Sequence, residues 1–203
     1  MRTGALAVLI AAVVLALPSV TRAGDELAIG AGGPDFNLEG TDGAMHSLAS
    51  VAGTRGTAVI FTCNECPYAK GYEDRLIALA KSYGPRGIGF IAINPNDPTI
   101  VPGDSFEQMK TRAAEKKFPY PYVHDQTQAI AAAYGARVTP HIFLLDAAGK
   151  LVYRGRVDNS LDEGKIKNRD LDAALASLMG GKPVPVATTK PFGCGVKWSK
   201  KGR

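Results

Sequence analysis

The stretch Ala58-Val59-Ile60-Phe61-Thr62-Cys63-Asn64-Glu65-Cys66-Pro67 decides the fold. Its first four residues are an apolar run suited to a strand buried on both faces. Pro67 suits the first turn of a helix, where its missing N–H leaves no bond unmade. Beyond it Tyr72, Leu76, Leu79, Ala80 and Tyr83 recur at helical spacing, and Gly84-Pro85 ends the pattern. Between strand and helix stands a C-x-x-C pair, which serves zinc, iron–sulfur and redox sites alike. Zinc asks for a second pair of ligands, and the chain offers only Cys194 and three scattered histidines. A purely structural disulfide across two residues closes a tiny loop and gains little chain entropy. The redox reading has a mechanism. Residues three apart in a first helical turn share a face, so the sulfurs meet. The open N–H groups and partial positive charge of the helix N-terminus favour a thiolate on Cys63. Cys63 attacks a substrate disulfide, and Cys66 resolves the mixed disulfide.

Upstream, Asp35 to Leu38 and Met45 to Leu48 alternate in period two around the turn-rich Glu39-Gly40-Thr41-Asp42-Gly43, which predicts a hairpin. Downstream, strands are expected at Ile88 to Ile93, Tyr122 to His124, His141 to Leu145 and Leu151 to Tyr153. Helices are expected from an Asp104 cap to about Lys117, from Asp125 to Tyr134, and around Leu171, Leu175 and Leu178. The order describes an α/β fold, a mixed β-sheet flanked by helices with an N-terminal β-hairpin.

At 203 residues, 45% hydrophobic and 21% charged, the chain is long enough for one ordinary domain, and its composition excludes global disorder, collagen and long coiled coil. Mean hydropathy near zero, with a single long apolar run, excludes a polytopic membrane protein. That run, Ala5 to Leu17, follows Arg2 and is broken by Pro18. It is short of the roughly 20 residues a spanning helix needs. Residues 1–23 read as a secretory signal peptide cut after Ala23, so the chain is expected outside the cytoplasm, periplasmic or secreted. No cysteine closely follows the run, which excludes lipid attachment there. Residues 24–181 read as the folded domain, and 182–203 as a tail with six Lys or Arg and no acid. The net charge of +5 is therefore a property of the two ends, and nucleic-acid binding is not expected.

The strand–CxxC–helix unit resembles a thioredoxin fold, and Arg137-Val138-Thr139-Pro140, just before a late strand, resembles its Thr-(cis)-Pro loop. The wider pattern is similar to the peroxiredoxin-like thioredoxin proteins of the redoxin (alkyl hydroperoxide reductase/thiol-specific antioxidant) family. Carrying that likeness are Gly33-Pro34-Asp35-Phe36-Asn37-Leu38, Cys66-Pro67-Tyr68, Tyr72-Glu73-Asp74-Arg75-Leu76, Ile93-Asn94, Leu151-Val152-Tyr153-Arg154-Gly155 and Gly193-Cys194-Gly195-Val196-Lys197-Trp198. The resemblance implies a redox-active Cys63–Cys66 disulfide, no separate cofactor, and Thr139 and a cis Pro140 beside it with backbone groups open to a substrate chain. Two departures stand out. Glu65 occupies a place where the family often has His, and a carboxylate there opposes ionisation of Cys63. The strand Gly56 to Thr62 carries no acid to take the proton of Cys66, while Glu65 and Glu73 read as solvated helix-face residues. His141, next to Pro140, is a candidate to tune Cys63. Cys194 is either buried under a tail docked by Phe192 and Trp198, or a third, resolving thiol.

The leading function is thiol–disulfide oxidoreduction through Cys63 and Cys66. Its partners would be protein or small-molecule disulfides and thiols, with an electron donor the sequence does not identify. The alternative is a thiol peroxidase acting on peroxides through Cys63. Its usual P-x-x-x-T-x-x-C pattern is absent, since Gly56 and Ile60 stand at the proline and threonine positions. The third is a copper or zinc carrier using Cys63, Cys66 and His141 or His124.

Overall fold

The computed structural model describes residues 25–200, so the signal reading of 1–23 lies outside them. β1 (Asn37–Glu39) and β2 (Met45–Ser47) form the expected hairpin, with Leu38 opposite His46. β3 (Gly56–Phe61) is buried along its whole length and leads to α1 (Pro67–Tyr83). β4 (Ile88–Asn94), α2 (Phe106–Lys116), β5 (Tyr122–His124) and α3 (Ala129–Tyr134) follow. Next come β6 (Val138–Thr139), β7 (His141–Asp146), β8 (Leu151–Gly155), α4 (Asp170–Met179) and β9 (Cys194–Gly195). The main sheet has five strands in the order β5-β4-β3-β7-β8. β3 runs parallel to β4 and antiparallel to β7, which makes the sheet mixed as expected.

Alternation along β3 divides the core. Ala58 and Ile60 face Tyr72, Leu76 and Leu175 on the side of α1 and α4. Val59 and Phe61 face Ala131, Tyr134 and Phe143 on the side of α3. This two-sided burial explains the unbroken apolar run that the sequence shows at 58–61.

Three details differ from the sequence reading. Asp104 does not cap α2: Ser105 is the N-cap residue, and the Asp104 carboxylate points elsewhere. α3 starts at Ala129 rather than Asp125, while the buried Asp125 carboxylate still accepts the Ala131 N–H at 2.8 Å. Glu73 is not solvated. It is 5% exposed and held by Arg112 through Nε at 2.9 Å and Nη2 at 2.5 Å.

The basic tail is part of the fold through Lys200. Arg154 exchanges backbone bonds with Ala187 and Thr189 at the edge of β8. Phe192 packs its ring on Tyr68 and Tyr72. β9 pairs antiparallel with β6, placing Cys194 opposite Thr139. The Lys197 carbonyl accepts from Asp97 N–H and Gln128 Nε2, and Trp198 packs on the α3 side of the core. Gly193 permits the approach, since a Cβ there would lie 2.1 Å from the Thr139 carbonyl oxygen.

Candidate active site

The backbone at the C-x-x-C pair is set by Pro67. A residue before proline is driven out of the helical region by the ring. Cys66 accordingly has φ −73 and ψ 121 and serves as the N-cap of α1. Cys63, Asn64 and Glu65 therefore lie in the loop before the helix. This corrects the expectation that both cysteines share the first helical turn: Cys66 is the N-cap residue, and its side chain makes no cap bond.

Three free thiols come together here: Cys63, Cys66 and Cys194. Cys63 and Cys66 are each 3% exposed, and Cys194 is half-buried. The Thr139–Pro140 bond is cis, and Thr139 touches both members of the pair. Its Oγ1 lies 3.2 Å from Cys63 Sγ, and its carbonyl accepts from the Cys66 thiol at 3.0 Å. From the other side the Cys194 N–H donates to Cys66 Sγ at 3.3 Å. The backbone edge at Thr139, expected to be open, is thus occupied by the chain's own β9.

The two sulfurs of the motif are held differently. Cys66 donates to the Thr139 carbonyl, a bond it makes only as a thiol, while the Thr139 hydroxyl can donate to Cys63. The two thiols titrate as one pair. Contact with Cys66, burial and the Asp104 carboxylate push Cys63 up, and the Thr139 hydroxyl pulls it down.

Asp104 is the residue that sequence reasoning missed in this role. It is fully buried, and one carboxylate oxygen accepts the Asn64 N–H at 2.7 Å and the Glu65 N–H at 3.1 Å. The other oxygen accepts from Asn96 Nδ2 at 2.7 Å. It therefore fixes the loop between the cysteines from a point some forty residues downstream. Glu65 turns outward instead, its half-exposed carboxylate 3.2 Å from Lys70 Nζ. The acid that bears on Cys63 is Asp104, not Glu65.

His141 is fully buried, with its ring against Phe143 on the α3 side of the sheet, and its Nδ1 accepts from Arg137 N–H at 3.4 Å. Burial pushes it down to about 3, so it stays neutral and offers Cys63 no cation. Among the described residues no three His, Cys, Asp or Glu side chains are grouped so as to hold a metal ion. The ligand set expected of a metal carrier is therefore not assembled there.

A central buried strand, a helix opening on C-x-x-C and a cis-proline loop facing the pair define a thioredoxin-like redox protein. The model of the AhpC/TSA family matches residues 29–154, and the chain belongs to that family. It is 28% identical to the thiol-disulfide oxidoreductase ResA of Bacillus subtilis (strain 168), over 74% of this chain and 80% of that protein. Among solved structures it is similar to an uncharacterized conserved protein from Geobacillus kaustophilus. There the identity is 38% and the TM-score 0.82, over 87% of this chain and 95% of the other. A hypothetical protein from Sinorhizobium meliloti 1021 is 31% identical at a TM-score of 0.81, covering 87% of this chain and 97% of its own.

Proposed function

We propose that this AhpC/TSA family member is a thiol–disulfide oxidoreductase whose working groups are Cys63 and Cys66. The observation that carries the reading is the hold of Thr139 on the buried pair: its hydroxyl lies 3.2 Å from Cys63 Sγ, and its carbonyl accepts from the Cys66 thiol at 3.0 Å. The Cys63 thiolate attacks one sulfur of a substrate disulfide, forming a Cys63 mixed disulfide and releasing the other sulfur as a thiolate. Cys66 gives up its proton and attacks Cys63 Sγ. The Cys63–Cys66 bond forms and the second substrate thiol leaves. Thr139 orients both sulfurs through its hydroxyl and carbonyl. The partners are protein or small-molecule disulfides, with a dithiol as electron donor. The reading is for a chain exported from the cytoplasm, which Arg2 and the apolar run Ala5 to Leu17 support.

The family match supports peroxide reduction as the second reading. Against it, Ile60 faces the α1 core and is fully buried, so no hydroxyl stands three residues before Cys63. The test is trapping. With Cys194 replaced by serine in both, Cys66→Ser should keep a substrate disulfide attached to Cys63, and Cys63→Ser should accumulate little on Cys66. Peroxide consumption that saturates at low peroxide, without disulfide reductase activity in the wild type, would replace this reading with the second.

A further inference from the structure

The tail raises a question that the two-cysteine mechanism leaves open. Its strand β9 covers the edge beside the reactive pair and presents a cysteine, Cys194, at the residue paired with Thr139. An exposed strand edge ordinarily accepts an extended chain through backbone bonds. Here the chain supplies that strand itself. The Cys194 N–H lies 3.3 Å from Cys66 Sγ, and Cys194 packs against the cluster of Cys63, Cys66 and Ala69. Cys63 and Cys66 are 3% exposed, whereas Cys194 is the least buried of the three residues.

We propose that Cys194 is a third redox-active thiol, which exchanges with the Cys63–Cys66 disulfide to form a Cys66–Cys194 disulfide and so carries reducing equivalents between the buried pair and the surface. This rests on the oxidoreductase reading above. In the oxidised chain Cys194 loses its proton and its sulfur attacks Cys66 Sγ. The Cys66–Cys194 bond forms, the Cys63–Cys66 bond breaks, and Cys63 leaves with the electron pair and takes up a proton. No electrons enter or leave the chain in this step. A dithiol donor then attacks Cys194 Sγ, breaking the Cys66–Cys194 bond and leaving Cys66 as the thiolate. The donor's second thiol attacks its own mixed disulfide, so the donor departs as a disulfide and Cys194 is released as a thiol. Two electrons pass from donor to chain. In the reduced state burial and the adjoining Cys66 sulfur push Cys194 up, which keeps it protonated and idle. Once Cys66 is in a disulfide it can carry no charge, and that part of the push is relieved.

The linkages are separable by peptide mapping. Trypsin cleaves after Arg55 and Lys70 with no site between, so a Cys63–Cys66 disulfide stays within one peptide. A Cys66–Cys194 disulfide joins two. The full chain is equilibrated in glutathione buffers of graded poise, acid-quenched, alkylated and mapped. The wild type should show both linkages. Cys63→Ser should lose both remaining free thiols to the joined peptides. The fast phase of reduction of the oxidised chain by dithiothreitol should be lost in Cys194→Ser. Joined peptides absent from wild type and Cys63→Ser, or an unchanged reduction rate in Cys194→Ser, overturns the proposal. A wild type that forms no Cys63–Cys66 disulfide at any poise overturns the oxidoreductase reading instead.

Discussion

Thr139→Val removes the hydroxyl that lies 3.2 Å from Cys63 Sγ and keeps the backbone carbonyl that accepts from Cys66. A hydrogen bond to a charged group is worth about 1.5–3 kcal/mol. At 1.36 kcal/mol per unit, its loss corresponds to a rise of about 1–2 units in the titration midpoint of Cys63. Thr139→Ser keeps a donor at nearly the same place, so its shift should be less than half as large. The assay is the rate of iodoacetamide alkylation at Cys63 from acid to alkaline pH, read by peptide mass spectrometry. An ordinary thiol slows tenfold per unit below about 8.5 because only the thiolate reacts. Equal midpoints in the wild type and Thr139→Val, or faster alkylation of Cys66 than of Cys63, would refute the assignment of the attack to Cys63.

Arg112→Ala leaves the buried Glu73 carboxylate with Lys116 Nζ at 3.6 Å in place of its bidentate partner, and denaturant unfolding should show a loss of about 1–3 kcal/mol. His141 is held neutral at about 3 in the fold but takes a proton near 6.5 when unfolded, so the unfolded chain binds more protons between those values. Stability should thus fall as the pH drops below 6.5, by about 2.5 kcal/mol at pH 4.5. His141→Asn, which keeps an acceptor for Arg137, should remove that share of the pH dependence in urea titrations. Glu65→His should leave the reduction potential of the pair unchanged within error in a glutathione titration, because the side chain points to Lys70. Asp104→Asn turns a donor toward Asn96 Nδ2 and should destabilise the chain by about 1–3 kcal/mol, read in the same unfolding assay.

The strand, the helix and the pairing of the hairpin were legible because each depends on local pattern: an apolar run, a helical repeat, a turn. Pro67 also carried more information than the sequence reading drew from it. Its effect on the preceding residue is local, and it alone puts Cys66 rather than Cys63 at the N-cap. Asp104 was legible only as a helix cap, since an acid ahead of Phe106-Glu107 looks like one. Its true target lies forty residues upstream, and no local pattern encodes a contact across that distance. The tail shows the same limit. Its charge left a solvated end and a docked one both open, and Phe192 and Trp198 pointed to docking, but the pairing of Cys194 with β6 and the close approach of Gly193 rest on long-range contacts that no local pattern shows. Aromatic and glycine residues in a basic segment were the available signal.

The usual peroxidase pattern places a hydroxyl three residues before the attacking cysteine, and in this chain Ile60 fills that place with a buried side chain facing the α1 core. The hydroxyl beside Cys63 comes instead from Thr139, on a different element, 3.2 Å away. A mixed disulfide or a sulfenic acid on Cys63 would meet the same fate, capture by Cys66 with release of a thiol or of water. The two activities therefore differ in what reaches Cys63. β9 occupies the Thr139 edge that an extended peptide would pair with, so a substrate disulfide has to meet the pair without adding a strand there.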